Sequence, residues 1–364
     1  MAETAVPSGM TVQQWDDQYF QEYYNKNWFK KFMGTGSSSM IQVREDLTKK
    51  PGDSITFQLI NNLTGNAKGA TEDLEGQEED LMLRSHKVTV QEYSHAVKWS
   101  NFEAQKTAID LRSAHKDALM GWNRRLERDQ IIAALMSIDG VAYGDATENQ
   151  KDTWLANNSD RVLFGATKGN NSGNDHSAAL QNVDSTTDKL TPGMISLMKR
   201  MAKTGTPKIT PFVPRGSVED SDAYVLFAPS LAIRDLANDT TFVQANREAR
   251  ERGNTNPLFT SADYLWDNVY IYEIEDIPTI GAVGNGGAIV APVFLCGAQA
   301  LGEAWAMRPS TVARNDIDYE RKNGLAIKQW SKIEKLRFGS GSTDTQNSKQ
   351  NGVVTGYVSA AADS

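Results

Sequence analysis

Cysteine is all but missing from this chain: Cys296 is the single one in 364 residues, which excludes an intrachain disulfide. Its setting, Val293-Phe294-Leu295-Cys296-Gly297, predicts a small buried hydrophobe rather than a nucleophile. Long apolar runs are lacking too, and none approaches the ~18–20 residues that a membrane-spanning helix requires. The opening residues Met1-Ala2-Glu3-Thr4-Ala5 carry neither the basic nor the apolar region of a secretory signal, so export by the usual route is not expected. Positive charge is in deficit. With 38 Lys and Arg against 46 Asp and Glu the formal charge is −8, which opposes a general grip on nucleic acid, because neutralising a phosphate backbone takes clustered cations. An acidic wall can nevertheless surround a nucleic acid without adhering to it.

The motifs of catalysis are equally scarce. The four histidines, His86, His95, His115 and His176, are scattered, and none forms the His-Glu-x-x-His pair that sets two ligands on one helical face. His115 falls on an apolar helical stripe, where a structural role is expected. Gly281-Ala282-Val283-Gly284-Asn285-Gly286-Gly287 has no Lys-Ser or Lys-Thr after it and precedes a strand, so it reads as a flexible turn rather than a phosphate loop. Asn315-Asp316-Ile317-Asp318 lacks the glycine and distal glutamate of a calcium loop. There is no Gly-x-Ser-x-Gly elbow. No catalytic residue, cofactor or metal site is expected, and the chain is not read as an enzyme.

What is present is a particular order of parts. At 364 residues, with 39% hydrophobic and 23% charged residues, the chain has the composition of a globular protein and the length for more than one core, since single cores stop growing near ~250–300 residues. Val12, Trp15, Tyr19, Phe20, Tyr23, Tyr24, Trp28 and Phe32 recur at three-and-four spacing up to Gly34, predicting an amphipathic helix. Trp15, Tyr19, Tyr23 and Trp28 are its candidate docking residues, against a core or a neighbouring subunit. Next, Ile55, Phe57 and Leu59 alternate along one strand, and Val88 and Val90 resume on the return. The connection between them, Asn61 to Ser85, carries Glu72, Asp73, Glu75, Glu78, Glu79 and Asp80 against only Lys68 and Arg84. It cannot build its own core. A connection that long in a compact domain is usually functional, and this one is expected to reach something outside the domain.

The return strand changes phase between Val90 and Tyr93, which predicts a bulge or bend near Glu92. A single helix is then predicted from Asn101 to about Ile138, with Gly140 as its stop and Gly121 as a bending point. Its cations Arg112, Lys116, Arg124, Arg125 and Arg128 read first as a solvated face, and second as a landing site for the acidic connection of another copy. Residues 143–191, rich in Asn, Asp, Ser and Gly, read as surface loop or insertion. Short helices are predicted over Met194–Met201, from an N-cap at Ser230 through Leu236, and over Phe242–Arg252; strands are predicted at Tyr224–Ala228, Val269–Ile274 and Ile289–Leu295. Irregular alternation of the two makes the class α+β. From Gly339 onward the composition predicts a flexible tail.

This order of parts resembles the Hong Kong 97-type major capsid protein of tailed bacteriophages, and more closely the phage capsid family related to the major capsid proteins of N4-like phages. The likeness is carried by Gly69-Ala70-Thr71-Glu72-Asp73-Leu74-Glu75-Gly76-Gln77-Glu78-Glu79-Asp80-Leu81, by Leu226-Phe227-Ala228-Pro229-Ser230-Leu231-Ala232-Ile233-Arg234-Asp235-Leu236, and by Asn256-Pro257-Leu258-Phe259-Thr260 with Cys296-Gly297-Ala298-Gln299-Ala300-Leu301. The resemblance implies an N-terminal arm (1–49), an extended hairpin arm (50–99) overlapping a neighbour, and a peripheral domain (100–210) with a spine helix over 101–139. A mainly axial domain (211–310), a return to the peripheral domain (311–338) and the tail (339–364) complete it. It implies self-assembly through hexamers and pentamers into an icosahedral shell around double-stranded DNA, bound without sequence specificity. Portal and scaffolding or decoration proteins are the other implied partners, with assembly in the host bacterial cytoplasm, location in the virion and no membrane. Some relatives cross-link their arms through lysine and asparagine; Lys68 invites the comparison, although a solvated loop lysine is the plainer reading. The rival classes are a minor virion or adaptor protein and a soluble enzyme whose long loop is a lid.

Overall fold

The computed structural model describes residues 28–48, 52–60, 67, 69, 75, 78–79, 83–107, 109–212, 223–250, 264–339 and 348–363. In chain order the strands and α-helices are β1 (Met33–Gly34), β2 (Ile41–Arg44), β3 (Ser54–Ile60), β4 (Leu83–Thr89), β5 (Gln91–Ser100), α1 (Asn101–Lys106), α2 (Leu111–Met136), α3 (Glu148–Asn157), β6 (Val162–Phe164), α4 (His176–Gln181), α5 (Pro192–Thr204), β7 (Tyr224–Ala228), α6 (Ser230–Ala237), α7 (Thr240–Arg250), β8 (Tyr264–Trp266), β9 (Val269–Glu273), β10 (Val290–Cys296), β11 (Leu301–Ile317), β12 (Lys322–Lys335) and β13 (Val353–Ser359). They fall into two compact units, and the chain passes between them within α2, β11 and β12.

The first unit holds 91–127 and 307–331 among the described residues. Here β5 pairs antiparallel with β12, from Lys322 opposite Ser100 to Ser331 opposite Gln91. The two-residue side-chain period puts Tyr93, His95, Val97 and Trp99 on one face and Ser94, Ala96 and Lys98 on the other. The first face meets α2: Leu119, Leu325 and Ile327 are buried together with Val97, Trp99 and Trp122 against them. Two histidine–tryptophan stacks close the seam, His95 on Trp122 at 4.9 Å and His115 on Trp99 at 5.0 Å between ring centroids. His115 is thus structural, as its place on the stripe predicts.

The second unit holds 28–90, 128–306 and 332–364. Its centre is a six-stranded sheet in the order β6-β13-β10-β7-β9-β8. β7, β10 and β13 are buried along their whole lengths, so they read as continuous apolar runs rather than alternating ones. Cys296 ends β10 with no exposure, and burial pushes its thiol up to about 12. One face of the sheet is covered by α5, where Thr191 caps the helix, Pro192 starts it, and Met194, Ile195, Met198 and Met201 point inward.

Several expectations are corrected by these elements. The helix over 101–138 is two: Ser100 caps α1, Thr107 ends it, and the Asp110 carboxylate accepts the Arg112 backbone N–H and the Ser113 hydroxyl to start α2 afresh. Gly121 lies inside α2 without ending it. The phase change near Glu92 is a change of partner, since β4 pairs with β3 and β5 with β12. Pro229, not Ser230, occupies the N-cap of α6. Residues 143–191 are not a surface insertion: Trp154, Leu155, Val162, Phe164, Ala179 and Leu180 form a core cluster with Tyr357. The flexible tail is withdrawn as well, because β13 within it lies in the sheet interior, paired antiparallel to β10 and parallel to β6. Its Gly and Thr content masked Val353, Val354, Tyr357 and Val358.

Candidate assembly surfaces

The β3–β4 hairpin is rooted in its own subunit, and its last described pair is exposed. Ser54 pairs with Thr89 at the root and Ile60 with Leu83 at the end. At the root Ile55, Phe57 and Val88 are buried with Ala304, Leu336 and Phe338. Arg84 Nε donates to the Gly339 carbonyl at 2.9 Å, and His86 Nε2 lies 3.5 Å from Glu334 Oε2. Gly302 makes the close approach feasible, since a Cβ there would stand 2.9 Å from Phe57 Cζ and 2.7 Å from Leu336 Cδ2. At the far end the cross-strand pair Ile60 and Leu83 is 63% and 65% exposed. This exposed apolar pair makes the strand end a candidate contact surface.

Beyond that end Glu75, Glu78 and Glu79 are exposed. Lys68, Glu72 and Asp73 lie outside the described residues, as do Trp15, Tyr19 and Tyr23. Of the N-terminal stripe the structure shows the last turn, a 3-10 helix at Trp28–Phe32 in place of an α-helical end. Phe29 and Phe32 are buried there. Phe32 meets Phe212, Phe227 and Tyr272 edge-on at 5.8, 5.5 and 5.2 Å, and Lys31 Nζ stands 3.8 Å from the centroid of Tyr272. This end docks on its own subunit.

The helix cations divide. Arg112, Lys116, Arg124 and Arg125 are exposed. Arg128, expected as a contact to another copy, is 6% exposed and paired within its own subunit, to Asp129 at 2.9 Å and to Asp276 at 2.7 Å. That expectation is corrected: a buried guanidinium must be satisfied locally. Sequence reading also passed over two lysines. The β5–β12 register puts Lys98, Ala96 and Ser94 on the face turned from α2, opposite Gly324, Ala326 and Lys328. Their signal was the alternation along β5 itself. Arg112, Lys116, Arg124, Lys98 and Lys328 form no ion pair among the described residues, whereas Lys322 is held by Asp318 at 2.9 Å and Arg314 by Asp316 at 2.6 Å.

Chemistry-bearing clusters elsewhere are already engaged. Glu148, Asp152 and Asp175 bring carboxylate oxygens within 4.8 Å of one another. Each accepts backbone N–H groups around α4: Glu148 from Ser177, Asp152 from His176, and Asp175 from Ala178. His176 sits in a cage of Tyr143, Trp154, Phe164 and Tyr357, and burial depresses its pKa to about 4.

A hairpin rooted on its parent, a helix running from one unit into the next and a second unit built on a buried six-stranded sheet are the parts that the comparisons with known proteins identify as those of a shell-forming subunit. The chain matches the phage capsid protein family over residues 3–362 and belongs to that family. The major capsid protein of Pseudomonas phage KPP25 is 26% identical to it over 389 residues, covering 95% of this chain and 94% of that protein. The capsid asymmetric unit of cyanophage Pam1 contains a chain with a TM-score of 0.88 and 29% identity, each covered to 100%. The capsid of Ralstonia phage GP4 has one with a TM-score of 0.77 and 21% identity, again covered to 100% on both sides. A capsid chain of Helicobacter pylori bacteriophage KHP30 shares the fold at a TM-score of 0.71 with 13% identity, over 97% of this chain and 96% of that one. The Hong Kong 97-type α+β fold expected from the resemblance stands, and the protein is a structural component of a phage capsid.

Proposed function

We propose that this chain is the major shell subunit of a tailed bacteriophage. It assembles with copies of itself, as hexamers and pentamers, into an icosahedral capsid that encloses double-stranded DNA without reading its sequence. The observation that carries this is the β3–β4 hairpin, whose root is buried in its own subunit while Ile60 and Leu83 at its last described pair, and Glu75, Glu78 and Glu79 beyond it, are exposed. An arm of that build is completed by a neighbour. Many weak contacts of one kind, repeated over a lattice, sum to a stable shell.

In this reading the arm is 54–89 rather than 50–99, because β5 belongs to a different sheet. The first unit, with α2, is the peripheral domain, and the six-stranded sheet is the axial domain. Lys68, Glu72, Asp73, Glu75, Glu78 and Glu79 of one copy meet cations on the peripheral domain of the next. The cations there occupy two places, Arg112, Lys116, Arg124 and Arg125 on α2, and Lys98 with Lys328 on the outer sheet face. Trp15, Tyr19, Tyr23 and Trp28 dock the N-terminal arm. Portal and scaffolding or decoration proteins complete the particle, which forms in the host cytoplasm.

Size-exclusion chromatography with negative-stain microscopy tests the assembly. Closed shells or capsomers are expected, and a stable monomer overturns the reading. The double variant Glu78→Lys with Glu79→Lys is expected to assemble poorly while its isolated subunit stays folded, and normal particles from it remove the arm's electrostatic role.

A further inference from the structure

Three Asn-Gly pairs occur in the chain, Asn285-Gly286, Asn323-Gly324 and Asn351-Gly352, and the fold restrains them very unequally. An asparagine before glycine is chemically labile, because the next peptide nitrogen can reach the side-chain carbonyl carbon with no side chain in the way, provided the backbone can turn. Asn323 lies in β12 opposite Trp99, and its Nδ2 donates to Asn101 Oδ1 at 2.6 Å. Gly324 after it is buried, and a Cβ there would stand 2.9 Å from Ile317 Cδ1. Asn351 is held at three points: its N–H donates to the Leu336 carbonyl at 2.9 Å, its Nδ2 to the Gln299 carbonyl at 3.3 Å, and its own carbonyl accepts from Arg161 Nη1 at 3.0 Å. A Cβ on Gly352 would come to 2.7 Å from the Ala298 carbonyl oxygen. Asn285 differs on each count. With Gly286 and Gly287 it forms an exposed 3-10 turn before β10, its side chain makes no hydrogen bond among the described residues, and a Cβ on Gly286 would meet nothing within 4 Å. The turn is held by the Asn285 N–H on the Val183 carbonyl at 2.8 Å, the Gly287 N–H on Gly284 at 3.0 Å and the Ala288 N–H on Asn285 at 3.2 Å, which leaves the Gly286 N–H without an acceptor among the described residues.

We propose that Asn285 is a site of spontaneous deamidation, which converts an exposed amide of the second unit into a carboxylate. The Gly286 nitrogen gives up its proton to hydroxide and bonds to Asn285 Cγ; the Cγ–Nδ2 bond breaks, and ammonia leaves with a proton taken from water. A second water then opens the cyclic imide at either carbonyl, giving aspartate or isoaspartate. Neither route needs an oxidant or a reductant. Each event adds one negative charge. Asn285 lines a cleft whose charged residues are Glu148 and Lys151, so the new carboxylate turns a balanced lining into an acidic one. The isoaspartate form also inserts a methylene into the main chain beside the Asn285 N–H, which loosens the tie to Val183 at the end of the α4 segment. The proposal does not depend on the shell reading above.

Peptide mapping by mass spectrometry of the folded chain, held at mildly alkaline pH, tests it, with isoaspartyl methyltransferase as the probe for the rearranged product. Asn285 is expected to lose its amide about tenfold faster than Asn323 and Asn351 or more, because those two must first break a hydrogen bond and ~1.4 kcal/mol of added barrier is tenfold in rate. In urea the three sites are expected to react at similar rates, since the pairs then differ only in their neighbours along the chain. Asn285→Gln is expected to remove the fast methyl-accepting product and, on a native gel, the acidic band that grows with storage. Equal rates at the three sites in the folded chain, or an Asn285 amide that outlasts the other two, overturn the proposal. So does an acidic band that grows undiminished in Asn285→Gln.

Discussion

The ring of Phe57, on the outgoing strand of the arm, lies against the backbone of Gly302 at the start of β11, so closely that a Cβ on the glycine would come to 2.9 Å from the ring. That contact sets where the arm leaves the body. The glycine is therefore required for close approach rather than for a special backbone angle.

Gly302→Val is expected to lift the hairpin root from its seat and to cost about 1–3 kcal/mol, the usual range for overpacking a filled core. Urea unfolding of the isolated subunit measures the loss. Assembly should fail more severely than stability, because the error at the root is carried to the arm's far end.

Arg161 is a second fixed point. It is fully buried and donates to the main-chain carbonyls of Gln350, Asn351 and Pro207, tying the approach to β13 to the turn after α5. Replacing it by methionine keeps the bulk and removes the donors, leaving three carbonyls to find other partners. A loss of roughly 3 kcal/mol or more is expected from denaturant midpoints at constant slope, since each buried unsatisfied acceptor costs ~1–3 kcal/mol.

Lys335 is 3% exposed, its Nζ 5.7 Å from the ring centroid of Trp154, and a Gln350 amide turned with its oxygen towards the lysine would accept from Nζ at 3.2 Å. Burial lowers its pKa to about 7 from 10.5. Between those values the unfolded chain binds more protons than the folded one, so stability rises as pH increases from about 7 towards 10.5 and the penalty is present in full below 7. Lys335→Met is expected to be more stable than the parent at pH 6 and to flatten this rise. Thermal melts across that range check it.

His176 acts at the acid end. Its depressed pKa, about 4 against 6.5, means that the unfolded chain takes up the proton first, so stability falls as pH drops from about 6.5 to 4. Substitution by phenylalanine loses the 3.4 Å contact with the Tyr357 hydroxyl. It is nonetheless expected to reduce the acid slope, and melts between pH 4 and 7 read the difference.

Local chemistry in the sequence was sufficient for the elements that carry their own signals. Alternation gave the hairpin strands, Thr191-Pro192 the start of α5, and the apolar stripe the seam of α2. Position in the fold was legible for Cys296 and His115 for the same reason, since periodicity predicts which face a side chain takes. β13 was illegible because its residues look like a tail until β10 and β6 supply its hydrogen bonds. The core of 143–191 was hidden in the same way, by polar turns dense enough to mask Trp154, Val162 and Phe164.

The sequence by itself determined the parts and their order: an acidic connection that cannot fold alone, a helix with exposed cations, and no assembled catalytic motif, all consequences of side-chain type and spacing. Only the tertiary structure decided which of those cations are spent inside the subunit, as Arg128 is on Asp276, and which strand ends the five-stranded sheet among the described residues. Those outcomes depend on residues more than a hundred positions apart being brought together, and hydrogen-bond pairing and burial are properties of that juxtaposition rather than of any local run.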